Sequence, residues 1–76
     1  MLSKTELSAK IGERIKEIRN ERGISQAELG RRCLKDKQHI ELIENNKVSA
    51  NVYTLYQISL ALEVRLNELL ELDYSV

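Results

Sequence analysis

The sequence predicts an all-α fold of five short helices, and three observations carry that prediction. Apolar residues recur at helical spacing along the whole chain, and no window alternates as a strand. Ser25, Asp36 and Asn51, residue types whose side chains cap helix starts, each stand just ahead of an apolar-periodic run. No proline, low-complexity segment or internal repeat interrupts the pattern.

In the first helix Leu7, Ile11, Ile15 and Ile18 recur at steps of four, four and three, an amphipathic stripe. Gly23 ends it, because glycine enters the left-handed region without steric cost. Ser25 and Glu28, three residues apart, form the pattern of a capping box, so the second helix starts at Gln26 and turns Ala27, Leu29 and Cys33 inward. Asp36 caps a third helix whose buried pair is Ile40 and Ile43. Asn45-Asn46 stops it, since asparagine tolerates the left-handed region. A fourth helix runs from the Asn51 cap to about Leu62, over residues 52–62. Leu66, Leu69 and Leu70 mark a fifth, over residues 66–72.

Composition narrows the function classes. Seventy-six residues make one domain, 1–76, close to the lower size limit for an unstapled core. No apolar run approaches the roughly 20 residues of a membrane span, and no signal peptide is recognisable. A lone cysteine, Cys33, forms no internal disulfide, so a cytoplasmic, reducing compartment is expected. With one histidine, His39, there are no paired metal ligands, no phosphate-binding glycine loop and no nucleophile–base set. An enzyme, a cofactor, a metal and a small-molecule ligand are therefore not expected. Net charge is zero, but residues 1–47 hold 11 Lys/Arg against 8 Asp/Glu, while residues 48–76 hold 1 against 4. The basic half is the half with the polar-faced third helix, which suits a module with one nucleic-acid face and one protein face.

Helices two and three are separated by only two or three residues, a connection that forces a steep crossing, as in a helix-turn-helix. Gly30 sits in the middle of helix two despite costing about 1 kcal/mol against alanine, and a close backbone approach to helix three would explain it. On the third helix Gln38, Glu41, Leu42 and Asn45 project opposite Ile40 and Ile43, flanked by Lys37 and His39. Lysine, glutamine and asparagine suit base edges and phosphates of the major groove.

Gln26-Ala27-Glu28-Leu29, with Ile40, Ile43-Glu44-Asn45 and Lys47, is similar to the phage repressor/Cro-like helix-turn-helix family, also called the xenobiotic-response-element family. The similarity runs from Ile11-Gly12-Glu13-Arg14-Ile15 through Leu69, with no gap between Gln26 and Glu44. The resemblance implies a lambda-repressor-like domain with helices two and three, residues 26–45, as the helix-turn-helix. It implies sequence-specific binding of double-stranded DNA by a small transcriptional regulator, with the helix at about 36–45 in the major groove. Lys37, Gln38, Glu41 and Leu42 then face bases. Gln26, His39, Asn45, Asn46 and Lys47 hold the backbone, Gln26 also bracing helix three. Arg19 and Glu44 match a partly buried salt bridge between helices one and three.

The chain departs from the pattern in places. Relatives place glycine and then an apolar residue in the turn, where this chain has Leu34-Lys35. The expectation is that Leu34 takes the apolar role one position early, which leaves the start of helix three open by a residue. Asn46 replaces a glycine, Leu42 a polar residue, and Glu41 puts a negative charge on the base-facing side.

Helix four carries two apolar faces. Leu55, Ile58 and Leu62 turn inward, and Tyr53, Tyr56 and Leu60 form a second stripe. With Leu70, and with Leu72 and Tyr74 nearby, that stripe is the expected homodimer interface. The alternative is a protein-interaction module, accessory or antitoxin-like, that keeps the helix-turn-helix fold without specific DNA binding; zero net charge, Glu41 and the apolar stripe on helix four favour it.

Overall fold

The computed structural model describes residues 1–72, so Tyr74 lies outside the described residues. Five helices follow in order: α1 Lys4–Glu21, α2 Gln26–Arg32, α3 Lys37–Glu44, α4 Val52–Leu62 and α5 Leu66–Leu69. No strand occurs among the described residues, and no helix there is long and apolar enough to cross a membrane.

Each of the first four helices starts on a side-chain cap. The hydroxyls of Ser3 and Ser25 accept from the amides of Glu6 and Glu28, and Asp36 and Asn51 do the same for His39 and Thr54. The complete capping box stands at α1, where Glu6 also accepts the Ser3 amide at 3.0 Å. That amide holds the Glu6 carboxyl below the usual carboxylate range. At α2 the expected box is half formed. Ser25 caps, but the Glu28 carboxylate is drawn to the Arg31 and Arg32 guanidiniums one turn on, which offer charge where the backbone offers only a dipole.

The same four helices end alike. In each, one residue enters the left-handed region and two reverse amide bonds close the last turn, the Schellman arrangement. The left-handed residues are Gly23, Leu34, Asn46 and Glu63, with φ of 67°, 58°, 58° and 59°. The paired bonds after α2 run from Leu34 to the Arg31 carbonyl and from Lys35 to the Gly30 carbonyl, the latter at 2.7 Å. After α3, Asn46 bonds Ile43 and Lys47 bonds Leu42. Leu34 is therefore not the apolar residue of the turn. It takes the left-handed position that glycine fills in relatives and points out, 89% exposed. The start of α3 is fixed at Lys37 by the Asp36 cap.

The core is a cluster of aliphatic side chains contributed by all five helices, with Ile15, Leu29, Ile40, Ile58, Leu62 and Leu69 fully enclosed. Cys33 belongs to it, as expected, while Ala27 is only half-buried. The α1 stripe is shorter than its sequence period. Ile15 and Ile18 are buried, Ile11 is half-buried, and Leu7 is 42% exposed at the end of α1 that lies beside the α3–α4 loop. There the Asn46 amide reaches the Thr5 carbonyl and Ser49 bonds Ser8. Helix α5 stops at Leu69 rather than near 72, with Leu70 closing a tight i→i+3 turn onto Asn67. The Arg14 guanidinium takes the Glu68 carbonyl at 2.9 Å and ties that last turn to α1.

Candidate nucleic-acid interface

Helix α3 lies over α2 at a distance set by glycine. A Cβ on Gly30 would stand 2.7 Å from the Lys35 carbonyl oxygen and 3.0 Å from the Asp36 carbonyl carbon. That is closer than carbon and oxygen allow, so the α2–α3 crossing requires the missing side chain. The far end of α3 meets the same condition against α1. A Cβ on Gly12 would be 2.5 Å from the Ile43 carbonyl oxygen. Sequence reasoning found Gly30 from its cost inside a short helix. It passed over Gly12, which the close packing of two helix backbones would have explained.

With both ends seated, Ile40 and Ile43 fill the core and the opposite side of α3 faces solvent. Lys37, Gln38, Glu41 and Asn45 are exposed, while His39 and Leu42 are half-buried at the edges of that face. Lys37 stands one helical turn before Glu41 on that face. Lys47 is exposed just beyond α3, and the half-buried Asn46 donates one amide hydrogen to the Thr5 carbonyl at 3.5 Å.

The end of α3 is braced by charge. The Glu44 carboxylate, 1% exposed as a side chain, accepts Arg19 Nε at 2.7 Å and Nη2 at 3.0 Å. Arg19 Nη1 donates to the Ile24 carbonyl at 2.9 Å. The third donor to Glu44 is Gln26 Nε2 at 3.1 Å, from the first residue of α2. The arginine fork matches the carboxylate bidentately, so a buried negative charge is compensated by a positive charge and a neutral amide. One amide hydrogen of Gln26 is thus committed, which holds the side chain at the α2–α3 junction and leaves its second hydrogen for an outside acceptor.

The other predicted surface lies on α4. Tyr53, Tyr56 and Leu60 are 67%, 48% and 59% exposed, and Leu70 is 46% exposed. Leu55, Ile58 and Leu62 are buried on the inward side. Burial pushes the Cys33 thiol above its ordinary range, so it is held as a thiol among apolar neighbours. Among the described residues no group of three or more His, Cys, Asp or Glu side chains is placed to hold a metal ion.

A helix-turn-helix family model matches residues 15–69. No curated protein matches the chain. Among solved structures, a point mutant of the restriction-modification controller protein C.Esp1396I is 32% identical with a TM-score of 0.81, over 86% of this chain and 87% of that one. The P22 c2 repressor, solved in complex with a synthetic operator, is 32% identical with a TM-score of 0.73, over 83% of this chain and 96% of its own. The restriction-modification controller C.AhdI from Aeromonas hydrophila, 24% identical, shares the fold at a TM-score of 0.78 over 80% and 92%. The match of the family model across α1 to α5 and the braced, polar-faced third helix agree: the chain belongs to the Cro/C1-type helix-turn-helix family of DNA-binding transcriptional regulators, which are not enzymes.

Proposed function

We propose that the chain binds a two-fold operator as a homodimer, each copy laying α3 in the major groove. The observation that supports this most is the α3 face itself, polar, exposed and held at its end by the Arg19–Glu44–Gln26 brace. A helix read at base edges must be held within fractions of an ångström, and a buried bidentate pair supplies that rigidity.

In this reading Lys37, Gln38, Glu41 and Leu42 face bases. Gln38 is suited to a bidentate contact with adenine, Glu41 to a cytosine amine, and Leu42 to a thymine methyl. Gln26, His39, Asn45, Asn46 and Lys47 hold the phosphodiester backbone, Asn46 also tying its loop to the Thr5 carbonyl. The α4 stripe of Tyr53, Tyr56 and Leu60, with Leu70, joins two copies so that their α3 helices meet half-sites about 34 Å apart. The C.Esp1396I and C.AhdI relatives are controllers of restriction-modification systems, and the P22 relative is a repressor seen on operator DNA. Regulation of transcription from a short symmetric site fits all three.

Selection of bound sequences from a random duplex pool tests the proposal. The expected result is a symmetric consensus whose binding weakens steeply between low and moderate salt, through counterion release. A chain that retains no duplex at low salt is instead the protein-interaction module that its zero net charge and Glu41 would suit.

A further inference from the structure

The first turns of α1 and the α3–α4 loop face each other across a groove of about 170 Å3. Its floor is apolar, built from Leu7, Ile11 and Ile43, and Leu7 is left 42% exposed there. Its rim is polar, with Lys4 and Ser8 on α1 and Ser49 on the loop. Lys4 is the one charged residue of the lining, is exposed, and forms no ion pair among the described residues. Helical spacing puts residues 4, 7, 8 and 11 on one face of α1. Glu6 turns instead to the Ser3 amide, and Lys10 lies with Glu17 and Glu71 along a different groove. Ser49 donates its hydroxyl hydrogen to Ser8 Oγ at 3.3 Å, which leaves Ser8 its own hydrogen to give.

We propose that this groove holds the stretch of DNA sugar–phosphate backbone next to the one gripped by the α3–α4 loop, with Lys4 and Ser8 on a phosphate and Leu7 against the adjoining deoxyribose. The inference rests on the DNA reading above and adds the start of α1 to the footprint. The groove is continuous with that footprint. Asn46 and Lys47 are the proposed backbone contacts after α3, and Asn46 reaches the carbonyl of Thr5, the residue after Lys4, at 3.5 Å. Phosphates on one strand follow one another every ~3.4 Å along the duplex axis. A strand held at the loop therefore presents further phosphates to a cation standing beside it.

The lining matches that occupant. A nucleic-acid backbone alternates an anion with a sugar whose carbon-bound hydrogens are apolar, and proteins position themselves on both. The groove sets a cationic, hydroxyl-bearing rim over an aliphatic floor in the same way. A purely apolar ligand would leave Lys4 without a partner, and a bare anion would leave Leu7 in water.

Titration of the selected duplex over a salt series, with wild type beside Lys4→Ala, Lys4→Arg and Lys10→Ala, tests the assignment. Lys4→Ala should lower the slope of log affinity against log salt by about 0.9 for each copy bound, and Lys4→Arg should keep the wild-type slope. Lys10→Ala removes the same charge from another side of α1 and should change the slope clearly less. Duplexes that each carry one neutral methylphosphonate linkage then locate the contact. One linkage at the edge of the half-site should weaken wild type by about threefold or more and leave Lys4→Ala indifferent. An unchanged slope for Lys4→Ala, an equal loss for Lys10→Ala, or no linkage that distinguishes Lys4→Ala from wild type overturns the groove contact, while binding by wild type keeps the DNA reading. A wild type that binds no duplex at low salt overturns both.

Discussion

Glu44, the last residue of α3, accepts Nε and Nη2 of Arg19 with its side chain 1% exposed, so α3 is tied to α1 by a buried ion pair. Removing one member strands the other's charge in the core. Glu44→Leu is expected to cost about 3–5 kcal/mol, because Arg19 would keep only the Ile24 carbonyl. The double variant Arg19→Met/Glu44→Leu replaces both charges with apolar volume and should cost much less than the two single changes added together. Urea unfolding of the four proteins at neutral pH measures this; additive losses would mean that the pair is not coupled.

The left-handed helix ends give a second test. Leucine at φ 58° and glutamate at φ 59° each carry strain that glycine does not. Leu34→Gly and Glu63→Gly should each stabilise the monomer by about 0.5–1 kcal/mol, net of the extra freedom glycine has when unfolded. Asn46→Gly should gain less, since asparagine already tolerates this region. Leu34→Ala keeps the positive φ and should gain nothing. Thermal unfolding at concentrations where the chain is monomeric separates these cases.

Those four helix ends also mark what the sequence could and could not reveal. Gly23 and Asn46 were legible because their side chains, or the lack of one, suit a left-handed turn. Leu34 and Glu63 were not, because nothing in leucine or glutamate favours that conformation; the bonds of the flanking amides impose it. Helix starts were legible throughout α2 to α4, since a Ser, Asp or Asn cap is a local chemical match. The α1 stripe was overextended at Leu7, because periodicity reports which face is apolar and not how far the neighbouring helix reaches. The polar side of α3 was readable from Ile40 and Ile43 alone. The third bond to Glu44, from Gln26, depends on the α2–α3 crossing, and only the resemblance suggested a brace there.

Gly12 and Gly30 should both resist substitution. The atoms a Cβ would strike are backbone carbonyls of α3 and its preceding turn, which cannot rotate away as a side chain can. Gly30→Ala is expected to destabilise by about 1–3 kcal/mol despite alanine's better helix propensity. Gly12→Ala, with the shorter approach of 2.5 Å, should be the worse of the two. A gain in urea midpoint for either would show that the helices can separate at no cost.

Cys33 reports on opening of the core. The residue is 4% exposed and burial holds its thiol pKa up, so both access and thiolate content are low in the folded chain. Because the folded pKa lies above the unfolded one, its contribution to stability is complete below the ordinary thiol range and declines as pH rises beyond it. Alkylation by iodoacetamide at neutral pH should be slow and should accelerate in proportion to the unfolded fraction as urea is added. Rapid labelling without urea would place the thiol at the surface.

The DNA contacts separate by what they read. Gln38→Ala removes a group proposed to pair with a base edge, so affinity for the selected site should fall by about 1–3 kcal/mol while affinity for random duplex stays the same. Lys47→Ala removes a charge proposed to lie on phosphate. It should weaken selected and random duplexes alike and reduce the slope of log affinity against log salt by about one per site contacted. Neither residue has a side-chain bond within the described residues, and both are exposed, so the fold should be indifferent to either change. Titrations of both variants on both duplexes at several salt concentrations give the answer. If Gln38→Ala weakens random duplex as much as the selected one, Gln38 holds backbone, and base readout then passes to Lys37, Glu41 and Leu42.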